Sequence, residues 1–132
     1  MSSTISSQFD VAGFGVIVTG GASGLGLAYG EVLAEHGARV TLIDLNPDAV
    51  ADQASRLQAD GLDVRSAVAD VTDHAALDRV IDEAAAVYGR LDVAFANAGI
   101  DPGVGFLSVN GNGRRECRTA RSSVMATNAG TA

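Results

Sequence analysis

The amino-acid sequence predicts an α/β fold built on a parallel, doubly wound sheet. Three observations predict it. Short apolar runs rich in β-branched residues recur at 16–19, 39–44, 63–69 and 91–96. The stretches between them carry helix-start and helix-stop signals at the length of ordinary helices, about 12 to 16 residues. A cluster of glycines follows the first run at once. Strands alternating with helices in this way pair in parallel through right-handed crossovers.

Residues 1–8 are rich in Ser and Thr and are expected to be a disordered N-terminus. Val16-Ile17-Val18-Thr19 reads as a buried first strand. Gly20, Gly21, Gly24 and Gly26 come next, and a helix opens among them and runs to about His36, where Gly37 stops it. Arg39 to Asp44 is the second strand. Asn46 and Pro47 supply the N-cap and first position of the second helix, which ends before Gly61. Residues 63–69 make the third strand. Asp73 caps the third helix, whose Leu77, Val80, Ile81, Ala84, Ala85 and Tyr88 recur at helical spacing before Gly89 ends it. Residues 91–96 are the fourth strand, followed by Asn97-Ala98-Gly99. This is a partial Rossmann-type sheet of about four strands, in the order 3-2-1-4. It occupies residues 9–110.

Composition narrows the function. The chain has 132 residues, 47% hydrophobic and 19% charged, with a net charge of -7. An acidic chain of pI about 4.5 lacks the basic face of a nucleic-acid binder, so no nucleic-acid partner is expected. No apolar run is long enough to span a bilayer, and 1–10 has neither a basic nor an apolar signal region. No membrane partner and a cytoplasmic location are expected. Cys117 is the single cysteine, which leaves no intramolecular disulfide and no cysteine-based zinc site. Neither His36 nor His74 has a second ligand at metal spacing, so no metal is expected. All nine basic residues are arginines, and there is no lysine.

The residues from Thr19 to Gly26 carry the chemistry. Gly20 permits a tight turn, Gly24 lets the backbone approach a pyrophosphate, and Gly26 lets helix and strand pack closely. The helix N-terminus then offers free N–H groups and a positive dipole end to phosphates. A ligand-free glycine turn is the plainer alternative. Asp44 ends the second strand, 18 residues past Gly26. Its carboxylate can accept both hydroxyls of an adenosine ribose and would repel a 2′-phosphate. Leu45 and Asn46 follow it with no basic residue, and Ser23 stands where an NADP-preferring loop carries a base. NAD is therefore expected in preference to NADP. Asp44 as a mere cap is the competing reading, but Asn46 is better placed for capping. Asp70 meets an adenine amino group with Val71 on the ring, or is a turn aspartate. Asn97-Ala98-Gly99 sits at the strand edge where α/β sheets bind ligands, or is a simple turn. Tyr29 and Tyr88 are read as packing residues.

These motifs resemble the short-chain dehydrogenase/reductase family. Thr19-Gly20-Gly21-Ala22-Ser23-Gly24-Leu25-Gly26 matches its Thr-Gly-x-x-x-Gly-x-Gly cofactor loop. Asp44, Asp70-Val71 and Ala96-Asn97-Ala98-Gly99 match its adenosine contacts and its Asn-Asn-Ala-Gly motif, with Ala96 in place of the first Asn. The resemblance covers about residues 9–105. It implies a dinucleotide partner, with Leu25 and Leu45 among the cofactor contacts, and hydride transfer between an alcohol and a carbonyl. It also implies an oligomeric parent enzyme. The helices that usually build the dimer lie past the resemblance, so this chain is expected not to oligomerise. The family's catalytic Ser and Tyr-x-x-x-Lys also fall beyond it. Its Lys lowers the pKa of the Tyr that acts as acid and base. With no lysine, no catalytic residue is expected in this chain.

Residues 111–132 differ from the rest. They hold four arginines and one acid, against five arginines and fifteen acids in 1–110. They carry no Leu, Ile, Phe or Tyr, and are expected to be a disordered tail. A frameshift is one account of them. Back-translated from Arg114 with two bases dropped, permitted codons read SGMPNGEIERHGDERWDR, which resembles the family segment after the fourth strand. A genuine extension is the other account. The fourth strand is then an apolar sheet edge, and a marginally stable monomer is expected.

Overall fold

The computed structural model describes residues 7–99 and two short strands beyond them, Leu107–Val109 and Arg115–Cys117. It divides between Ala98 and Gly99 into two compact units. In the first, β1 (Gly15–Thr19), α1 (Gly24–Glu35), β2 (Arg39–Asp44), α2 (Pro47–Ala59), β3 (Val64–Val68), α3 (His74–Tyr88) and β4 (Val93–Phe95) alternate. All pairings are parallel, in the order β3-β2-β1-β4, as the sequence predicts.

The register sorts the side chains. Val16 lies opposite Val40 and Val93, and Val18 opposite Leu42 and Phe95. These residues face one way and pack with Ala34, Val50, Ala54 and Leu57 of α1 and α2. Ile17 alternates to the other face, where it joins Ile43, Ala69 and the α3 residues Val80, Ala84 and Tyr88. Helices thus cover both faces, and the strands between them read as unbroken apolar runs. Val16, Val18, Val40, Leu42 and Ile43 are fully buried.

The helix boundaries follow their caps. The Asn46 side chain accepts the Ala49 N–H at 3.1 Å, and Asp73 accepts the Ala76 N–H at 3.1 Å. Glu35 ends α1 with His36 and Gly37 beyond it, and α3 stops at Gly89. Two strands are shorter than their apolar runs. β4 starts at Val93 because the Asp92 carboxylate accepts the Gly15 N–H at 2.9 Å and closes the chain onto β1 ahead of the ladder. β3 covers Val64–Val68 rather than 63–69.

In the second unit, β5 (Leu107–Val109) and β6 (Arg115–Cys117) form an antiparallel pair, with Leu107 opposite Cys117. The disorder expected over 111–132 falls largely outside the described residues, but Arg115–Cys117 is a strand. Residues 1–6 of the expected N-terminal segment also lie outside the described residues. Among the described residues no helix is long and apolar enough to cross a membrane, and no cluster of His, Cys, Asp or Glu is placed to hold a metal.

Candidate functional site

The turn between β1 and α1 is laced to the ends of two strands. Gly20 leaves β1 with φ +67°, a left-handed conformation that a side chain would strain. The Gly21 N–H donates to the Ile43 carbonyl at 3.0 Å, and the Ala22 N–H donates to Asp44 Oδ2 at 3.1 Å. A Cβ on Gly21 would sit 3.0 Å from Leu42. These contacts pin the loop to β2.

On the other side the loop meets β4. The Thr19 hydroxyl donates to the Phe95 carbonyl at 3.3 Å and accepts the Ala98 N–H at 3.1 Å. The Asn97 side-chain amide donates to the Thr19 carbonyl at 3.3 Å. Gly26 packs under this turn: an added Cβ would fall on the Gly20 carbonyl oxygen and the Asn97 amide nitrogen. Helix and strand approach this closely only because residue 26 has no side chain.

The open face of the loop is different. Ser23 is the N-cap of α1 with extended dihedrals, but its hydroxyl makes no capping bond, and the first turn carries no acid. The first N–H groups of α1 have no partner within the helix. A Cβ on Gly24 would meet nothing within 4 Å, and Gly24 and Leu25 are exposed. Uncapped donors, no acid in the first turn of α1 and open space over Gly24 fit the diphosphate of a dinucleotide.

Asp44 is half-buried at the end of β2. Besides Ala22, it accepts the Asn46 N–H through Oδ1 at 3.2 Å. It does not cap α2, since Asn46 does that. Leu45 beside it is exposed. Asp70 follows β3 and is exposed; its Oδ1 accepts the Thr72 hydroxyl at 2.7 Å and the Thr72 N–H at 2.9 Å. Those bonds hold its carboxyl below the usual aspartate range, the hydroxyl bond most. This is a turn aspartate in form, and its remaining lone pairs face solvent beside an exposed Val71.

Gly20, Ser23, Gly24, Leu25, Gly26, Asp44, Leu45, Asn97 and Ala98 thus gather at the C-terminal ends of β1, β2 and β4. Asp70 and Val71 stand past the end of β3, one strand farther along the sheet. Gly99 is exposed and opens the second unit. Sequence reasoning did not single out Ala22, whose N–H reaches Asp44, or the Thr19 hydroxyl as a link to β4. The tyrosines pack: Tyr29 stacks on Phe95 at 5.2 Å, and the Tyr88 hydroxyl bonds the buried Thr41 at 2.9 Å.

Known proteins resemble this arrangement. A family model described as short chain dehydrogenase matches residues 15–129. The 1-deoxy-11-beta-hydroxypentalenate dehydrogenase of Streptomyces avermitilis is 44% identical over 89 residues, covering 67% of this chain and 33% of that protein. Gluconate 5-dehydrogenase of Gluconobacter oxydans is 39% identical over 95 residues, covering 70% of this chain and 36% of that protein. Among solved structures, a short-chain dehydrogenase/reductase from Burkholderia phymatum in complex with NAD aligns with a TM-score of 0.68 at 32% identity. That match covers 70% of this chain and 33% of the other. The chain thus spans about a third of the length of these relatives.

Proposed function

The chain belongs to the short-chain dehydrogenase family, and on that premise we propose that it carries the cofactor-binding part of an NAD-preferring oxidoreductase. The parent reaction is hydride transfer between an alcohol and a carbonyl. When bound, the nicotinamide supplies the hydride acceptor or donor. Gly20, Ser23, Gly24, Leu25 and Gly26 would hold the diphosphate, Asp44 and Leu45 the adenosine ribose, Asp70 and Val71 the adenine, and Asn97, Ala98 and Gly99 the far side of the site.

One observation carries the preference for NAD. Asp44 presents a carboxylate at the end of β2, directly bonded to the glycine loop, and the uncharged Leu45 and Asn46 follow it. A 2′-phosphate there meets a like charge and no counter-charge. Calorimetric titration of the chain tests this. NAD should bind with a dissociation constant of millimolar or tighter, and NADP about tenfold weaker or worse. NADP binding as tightly as NAD would overturn the preference.

The complete absence of lysine favours a second reading, a dinucleotide-binding module without turnover. The lysine with which the family lowers its catalytic tyrosine's pKa has no counterpart in this sequence. Among the described residues Tyr88 is buried against Thr41 and Tyr29 lies on α1, so neither replaces that group. Oxidation assays over a panel of alcohols should show no turnover by the pure chain. Measurable NADH formation would contradict this part of the reading.

A further inference from the structure

Asp44 is bonded in two directions. Its Oδ2 accepts the N–H of Ala22 in the glycine loop at 3.1 Å, and its Oδ1 accepts the N–H of Asn46 at 3.2 Å. One carboxylate thereby joins the turn after β1 to the turn after β2. The neighbouring Gly21 N–H is held by the Ile43 carbonyl, a main-chain bond that no side-chain substitution removes. Ala22 is buried, so its N–H has little access to water as a replacement acceptor. A buried donor that loses its acceptor costs more than an exposed one. A carboxylate has about four acceptor sites, so two N–H bonds leave room for two ribose hydroxyls.

We propose that Asp44 is a positioning residue for the glycine loop as well as the acceptor for the ribose. Recognition of the nucleoside and order in the diphosphate loop then depend on the same carboxylate. The ribose half of this statement rests on the dinucleotide reading above; the loop half does not. Exchanging Asp44 to relax the preference for NAD would also loosen the loop that holds either cofactor.

Amide hydrogen exchange on the whole 132-residue chain without nucleotide tests the loop half. In Asp44→Ala, exchange at the Ala22 amide should rise about tenfold or more. In Asp44→Asn the rise should be smaller, because the amide oxygen still accepts one N–H. The Val18 and Leu42 amides report the fold. If they also rise in Asp44→Ala, the ratio of Ala22 to Val18 exchange in Asp44→Asn decides instead. An Ala22 ratio unchanged from wild type overturns the positioning role.

Binding of ADP and 2′,3′-dideoxy-ADP supplies the second arm. The dideoxy compound offers no ribose hydroxyl to a carboxylate. Deleting a negative charge beside a diphosphate would by itself tighten its binding. Loss of loop order acts in the opposite direction, so Asp44→Ala should bind dideoxy-ADP several-fold more weakly than wild type. Equal or tighter binding overturns the proposal. Failure of ADP to bind the wild type would remove the dinucleotide reading, while the exchange measurement still decides the loop.

Discussion

Strands β2 and β4 flank the same glycine loop with similar apolar sequences, yet they are packed very differently. In β2, Val40 to Ile43 are all buried, with β1 and β3 on either side and helices over both faces. In β4, Val93 and Phe95 are only half-buried and Ala94 is exposed, and the strand ends the sheet. Apolar sequence makes a strand, but neighbours decide how much of it leaves water. The loop is therefore anchored to a rigid wall at Asp44 and to an edge at Thr19 and Asn97.

That contrast can be broken first in the core. Leu42→Ala should cost about 2–5 kcal/mol, because Leu42 is fully buried in the core between the sheet and its helices. Phe95→Ala should cost less despite the larger deletion, since Phe95 is only partly buried on the edge strand. Urea midpoints measure both, and equal losses would mean β4 is as well packed as β2. Gly26→Ala strikes the loop and its β4 anchor, since its methyl meets the Gly20 carbonyl and Asn97. Overpacking of this kind costs about 1–3 kcal/mol, and NAD binding should fall with it.

Smaller changes sharpen the contrast. Tyr88→Phe leaves the Thr41 hydroxyl of β2 buried without its partner, a loss of about 1–3 kcal/mol. Burial pushes the Tyr88 phenol above its ordinary value of 10.0, with the Thr41 bond opposing. The stability this gives is whole below pH 10.0 and is lost as pH rises towards the folded value. Melting curves of wild type should fall more steeply there than those of Tyr88→Phe. Asn97→Ala, on the β4 side, removes the part-buried side-chain bonds to the Thr19 and Gly20 carbonyls and should cost about 1 kcal/mol. The smallest effect belongs to Asp92, which the Arg90 side chain and then the Gly15 N–H hold below the usual carboxyl range. Its contribution is present above pH 3.8 and fades as pH falls through the folded value. Asp92→Asn should lower the melting temperature slightly at pH 7 and match wild type in strong acid.

Most of the fold was legible because its signals are local. β2 was read to the residue, since a β-branched run ends at Asp44 and Asn46-Pro47 starts a helix immediately. Asp73 was readable as a cap for the same reason. The start of β4 was missed by two residues because Leu91 looks like strand, while the interaction that delays the ladder joins Asp92 to Gly15. The site divides in the same way. The glycines and Asp44 stand in a recognisable spacing. The bonds from Ala22 to Asp44 and from Asn97 to Thr19 link residues 22 and 78 apart, and no local pattern encodes them.

Under the function proposed for this chain, the glycine loop and Asp44 hold NAD in preference to NADP. Amide chemical shifts of the nitrogen-15-labelled chain, followed through titration with each cofactor, test it most directly. NAD should move the amides of Gly20 to Gly26, Asp44 and Leu45, and leave Arg65 on the outer strand β3 unmoved; NADP should produce the same pattern only at much higher concentration. Shifts centred elsewhere, or equal response to the two cofactors, would contradict it.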